Sequence, residues 1–133
     1  MAEGGEVPED LRYTKDHEWV RVEGDTAVVG VTDHAQQAVG EITYVDFPPV
    51  GDQARQFDEL AAVESAKAAF DVFAVLSGTV SEVNAALEDA PEKVNADPYG
   101  DGWLCKLDGI DVAELDNLLT PEQYREILER EQQ

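Results

Sequence analysis

The sequence predicts an α+β fold that is mainly β. Three observations carry this. Short runs rich in valine, threonine, isoleucine and aromatic residues recur between residues 17 and 107, with glycine or proline between most of them. A helical spacing of apolar residues becomes sustained only in the last twenty or so residues, 111–131. The chain has 133 residues, 43% of them hydrophobic, which suits one domain with a modest core.

Taken in order, "HEWVRV" (17–22) and "TAVVGV" (26–31) are β-rich and joined by "EGD", which predicts a hairpin. In "DHAQQAVG" (33–40), Asp33 with Gln36 three residues on has the form of a capping box, and Gly40 stands where a short helix would stop. "EITYVDF" (41–47) alternates and predicts a strand, broken by "PPVGD". "SGTVSEV" (77–83) and "WLCKL" (103–107) are further strands, while "APEKVNADPYGDG" (90–102) has room for one helical turn. "DVAELDNLL" offers Asp111 as a cap and Leu115, Leu118 and Leu119 on one face. "TPEQYREILEREQQ" has a full start signal: Thr120 as cap, Pro121 at the first helical position and Gln123 three after the cap. Tyr124, Ile127 and Leu128 give that helix an apolar stripe. Residues 1–9 are expected to be a flexible lead-in to a single domain over 10–133, with helices at about 111–131.

Residues 58–76, "DELAAVESAKAAFDVFAVL", read two ways. As a helix, alanine propensity favours them, and Ala62, Val63, Ala66, Ala69, Phe70 and Phe73 share a face. As a hairpin, residues 60–63 and 70–75 are strands and "ESAKA" is the turn, with Lys67 near its tip among small neighbours. Periodicity does not separate the two.

Nine basic residues against thirty acidic ones leave a formal charge of −21. Such a surface repels nucleic acid and anionic lipid, both of which reward clustered lysine and arginine. No apolar run approaches the roughly 18 residues of a membrane span. The first ten residues resemble neither a secretory signal nor a transit peptide, so we expect a cytoplasmic protein or the processed form of an organellar one. No long apolar face is left unassigned, which favours a monomer. The single cysteine, Cys105, rules out an intramolecular disulfide and is expected to be a buried strand residue. The two histidines, His17 and His34, lack a ligand spacing, and a metal site would need carboxylates assembled from afar, so none is assigned. No phosphate-binding glycine loop or nucleophile elbow is present.

Read together, "YTKDHEW", "VGVTDHAQ", "GEITYVDFPPVG", "AAVESAKAAFD", "SGTVSEVN" and "PEKVNADPYGDGW" resemble the glycine cleavage system H proteins in order and spacing, over nearly all of residues 10–130. The resemblance implies a lipoyl-domain-like sandwich (a barrel-sandwich hybrid) of two small antiparallel sheets, with a short internal helix and C-terminal helices outside. It therefore selects the hairpin for residues 58–76. It implies that Lys67 carries lipoate as an amide, with Glu64, Ser65, Ala66 and Ala68 forming the loop that a lipoyl transferase or lipoate ligase reads. Phe70 is bulkier than that family's pattern leads us to expect. It either packs under the hairpin or narrows the approach to Lys67.

By the same resemblance the protein is a carrier and not an enzyme. A pyridoxal-phosphate glycine decarboxylase would load an aminomethyl group on the arm. An aminomethyltransferase using tetrahydrofolate would receive it, and a flavin dihydrolipoyl dehydrogenase would reoxidise the dithiol. Glu18, Asp71, Asp16 and His34 are the candidates for a cleft that shelters the loaded arm. Two relatives of this reading are a lipoate-relay protein and a lipoyl domain of a 2-oxoacid dehydrogenase. The extra helices and "NADPYGDGW" argue against the second. A biotin carrier would place methionine beside the lysine, and the only methionine is Met1. A small hydrolase using a serine or Cys105 would lack a base and an orienting partner.

Overall fold

The computed structural model describes residues 7–131. Nine strands among the described residues form two antiparallel sheets. β1 (Arg12–Tyr13), β2 (Glu18–Glu23), β3 (Thr26–Val31), β9 (Cys105–Asp108), β8 (Gly78–Val83) and β5 (Gln53–Ala54) lie in that order in a six-stranded sheet. β4 (Ile42–Asp46), β6 (Glu59–Ser65) and β7 (Ala69–Phe73) make a three-stranded sheet with β6 in the middle. This is the two-sheet lipoyl-domain-like sandwich that the sequence resemblance implied. Residues 58–76 form the hairpin, against their helix propensity, because Ala61, Val63 and Val72 point inward at the strand period of two and are buried.

Short helices decorate the sheets: α1 (Asp33–Val39), α2 (Ala86–Asp89), α3 (Lys93–Ala96) and α4 (Pro121–Glu131). α1 is where expected, but its cap is Thr32 and not Asp33. The Thr32 hydroxyl accepts from the Ala35 amide at 3.2 Å, while the Asp33 carboxylate, already inside the first turn, accepts from the Gln36 and Gln37 side chains. The α4 start signal is realised as read. The Thr120 hydroxyl accepts from the Gln123 amide and the Gln123 side chain accepts from the Thr120 amide. Asp111 caps a 3-10 helix, Val112–Asn117, in place of the longer helix expected there. Leu118 and Leu119 leave it because Leu119 exchanges two backbone hydrogen bonds with Tyr13, at 3.0 and 2.8 Å. The leucines therefore do not share one helical face.

Three apolar clusters fill the molecule. Val20, Val29, Val80, Leu107 and Cys105 form one, with Val75 and Leu76. Val31, Val39, Ile42, Val63, Val72 and Leu104 form a second, which reaches α1 and the three-stranded sheet. The third lies under α4, where Tyr124 and Leu128 meet Leu11, Tyr13, Trp19 and Val28. Trp19 is wholly buried, and its ring lies so close to Gly30 that a Cβ there would fall 2.6 Å from it. Its indole N–H is shared between the carbonyls of Val31 and Pro98. Val7 and Glu9, within the stretch expected to lead in freely, are both held by Arg125 of α4. Residues 1–6 of that stretch, and 132–133 at the other end, lie outside the described residues.

Candidate functional site

Lys67 stands in the connection between β6 and β7. Glu64 and Ala69 are the last paired residues, and Ala66, Lys67, Ala68 and Ala69 are all exposed. Neither Ala66 nor Lys67 has a positive φ, so the loop is not the primed two-residue turn that suits glycine and asparagine. Ser65 holds it instead. The Ser65 amide donates to the Ala68 carbonyl at 2.8 Å, and the Ser65 hydroxyl accepts from the Ala68 and Lys67 amides at 3.1 and 3.3 Å. The same hydroxyl donates to the Val39 carbonyl at 2.6 Å, which fixes the tip against the end of α1.

Lys67 extends over Gly40, the residue that ends α1 with φ +88°. A Cβ there would lie 2.9 Å from the lysine Cε. Asn95 closes this corner. Its side chain donates to the Gly40 carbonyl and to Gln36, and accepts from the Ile42 amide. Nothing local in the sequence links Asn95 to these residues, which lie more than fifty positions away. Among the described residues Lys67 enters no ion pair. Phe70 faces inward opposite Val63 and packs on the core, so it underlies the hairpin.

The four remaining candidates fall in three places. Glu18 is wholly buried at the start of β2. One carboxylate oxygen accepts from the Phe73 amide at 2.9 Å and the other from the Thr14 hydroxyl at 2.5 Å. Burial outweighs these hydrogen bonds and pushes its pKa up to about 7. Asp16 lines a cleft of about 520 Å³ with Thr14, Lys15, Phe57, Phe73 and Leu119, and two of these residues, Thr14 and Phe73, also hydrogen-bond Glu18. Asp71 lies on the outer face of β7, exposed. A carboxyl–carboxyl hydrogen bond with Asp71, with their mutual repulsion, lifts the pKa of Glu59 above the ordinary range. His34 is elsewhere. Its ring lies 4.3 Å from that of His17, and both face Glu131 of α4. Cys105 is buried and burial pushes its thiol up to about 12, so it offers no nucleophile.

Two antiparallel sheets, with an exposed lysine on a braced hairpin tip, define a domain with the lipoyl-domain-like fold. The comparisons narrow the class. The profile of the family described as "Glycine cleavage H-protein" matches residues 11–131. The glycine cleavage system H protein of Rubrobacter xylanophilus is 47% identical over 96% of this chain and 98% of its own. That of Thermus thermophilus is 49% identical over 95% of this chain and 98% of its own. The crystal structure of a glycine cleavage system H protein from Mycobacterium marinum superposes with a TM-score of 0.80 at 36% identity, covering 89% of this chain and 95% of that one. The chain belongs to the glycine cleavage H-protein family.

Proposed function

We propose that this protein is the lipoyl-bearing carrier of a glycine cleavage system, taking an aminomethyl group from a glycine decarboxylase to an aminomethyltransferase. A dihydrolipoyl dehydrogenase returns the arm to its disulfide form, and the protein itself catalyses none of these steps. The observation that carries this reading is the exposed Lys67 on a tip whose backbone is ordered by Ser65. An acylating enzyme needs an amine clear of neighbouring bulk on a loop of fixed shape, and residues 65–68 meet both needs. Lipoate, once joined to Lys67 as an amide, supplies a dithiolane for redox and group transfer.

This chain's own part is to present and to shelter. The tip gives the arm a fixed root, so that delivery within a docked complex is effectively intramolecular. Glu64 and Ser65 are read by the lipoyl transferase or ligase, and Ala66 and Ala68 leave room for it. The 520 Å³ cleft is the shelter for the loaded arm. There Asp16 reaches solvent directly, and Phe57 and Phe73 supply apolar walls. Glu18 sets the wall from behind through the Phe73 amide. Asp71 adds negative charge on the hairpin that bears Lys67, which suits a cationic amine. His34 does not line this cleft, and its role in the shelter is the weakest of the four. The carrier unit is residues 10–133 preceded by a lead-in, working as a cytoplasmic monomer.

Intact mass after incubation with lipoate, ATP and a lipoate ligase tests the reading. One lipoyl adduct is expected on the wild type and none on Lys67→Arg. Glycine–bicarbonate exchange by a glycine decarboxylase should then depend on the adduct. Exchange supported equally well by Lys67→Arg would overturn the carrier role.

A further inference from the structure

We propose that His17, His34 and Glu131 form a binding site for one divalent first-row transition ion of the zinc class, which fastens the end of α4 to the body of the protein. The three residues come from three elements: the turn before β2, the first turn of α1 and the last residue of α4. One donor atom from each lies within 4.8 Å of the other two. A carboxylate oxygen of Glu131 is 3.2 Å from His17 Nε2 and 3.7 Å from His34 Nε2. Two ligands of a tetrahedral zinc ion at ordinary bond lengths stand about 3.3 Å apart, so the set needs only a small contraction. The Glu131 distances already approach that spacing, and the histidine donors, within 4.8 Å of each other, close the remainder. Two imidazoles and one carboxylate suit zinc, cobalt or copper better than calcium or magnesium, which prefer all-oxygen cages.

Support around the ligands is of the kind metal sites use. His17 Nδ1 is 2.8 Å from the Tyr124 hydroxyl, which is 2.7 Å from the Thr32 hydroxyl. With Nδ1–H donating to Tyr124 and Tyr124 donating to Thr32, the Nε2 lone pair of His17 faces Glu131, as a ligand's must. His17 also keeps a left-handed backbone, φ +72°, uncommon outside glycine. His34 is the unexplained member. Its Nδ1 is buried without a hydrogen-bond partner, and its Nε2 is beyond hydrogen-bond range of Glu131. A cation among the three gives Nε2 a partner that the protein does not. The site also lies at the C-terminal end of α4, where the helix dipole favours positive charge.

Titration of the full-length protein with cobalt(II) tests this, because tetrahedral cobalt absorbs far more strongly in the visible than octahedral cobalt. We expect saturable binding of one ion per chain, displaced by zinc. His34→Ala and Glu131→Gln should each weaken it by at least about tenfold, while Glu129→Gln on the same exposed turn should not. Zinc should raise the melting temperature of the wild type and not that of Glu131→Gln. Octahedral cobalt spectra, or binding that survives both substitutions unchanged, would show that surface carboxylates hold the ion and would overturn the site. Lys67 acylation is read separately by mass, so either proposal can fail alone.

Discussion

At the hairpin tip, residues 66–69 are exposed and their order depends on Ser65, through its amide and its hydroxyl. Beneath α4 the arrangement is reversed. Tyr13 and Tyr124 are wholly buried and stack at 4.6 Å, and Tyr124 reaches His17 from 107 residues away. The tip is local in sequence and buries almost nothing. The junction is distant in sequence and buries large side chains. A site that other proteins must enter can contribute little to stability, because the contacts that stabilise also obstruct. The junction can be stabilising because the chain's own large side chains fill it.

The sharpest way to break that comparison is at Lys67. Lys67→Arg should abolish the lipoyl adduct in an intact mass spectrum and leave the melting temperature unchanged within error. A large fall in stability would mean that the tip carries structural weight. The junction should behave in the opposite sense. Tyr124→Ala removes a buried aromatic ring and should cost about 3–5 kcal/mol in urea denaturation. Tyr124→Phe keeps the stack but leaves His17 Nδ1 and Thr32 without their shared partner, which should cost about 1–3 kcal/mol. Either variant, assayed while folded, should still accept lipoate.

Gly40 joins the two regions, and its substitution sharpens the contrast. Its backbone, φ +88° and ψ −160°, is open almost only to glycine. Gly40→Ala should therefore cost about 1–3 kcal/mol of stability. The clash with Lys67 involves only the flexible end of its side chain, so acylation in the same preparation should proceed near the wild-type rate. The smallest effect is expected at Thr120→Ala. It removes the exposed half of the α4 capping box and should cost about 1 kcal/mol, with no change in acylation.

The difference between the regions also explains what could be read in the chain. The loop proposed to accept lipoate lies in a contiguous stretch, so residues 64–68 are legible without coordinates once the family likeness chooses hairpin over helix. Propensity alone leaned the other way, since alanine favours a helix in isolation and says nothing about which face a neighbouring sheet will cover. Caps and breakers were legible where a side chain bonds within its own turn, as at Thr120 with Gln123. They misled by one residue at Thr32, where two adjacent residues could each serve as the cap. The helix expected over 111–119 was cut short by backbone pairing of Leu119 with Tyr13, more than a hundred positions back.

The sequence by itself determined the strands over 17–31, 41–47, 77–83 and 103–107, the α4 helix and the acidic surface, because each rests on residues near one another in the chain, whereas the hairpin over 58–76 needed the family likeness. Only the tertiary structure decided that Phe70 packs inward and that Asn95 clamps the end of α1. Tertiary structure also set Glu18 behind the cleft wall and Asp16 in it, and brought His17, His34 and Glu131 together. The reason is physical. Periodicity and capping are local rules, whereas burial, pKa and the approach of donor atoms depend on which surfaces the packed sheets and helices bring face to face.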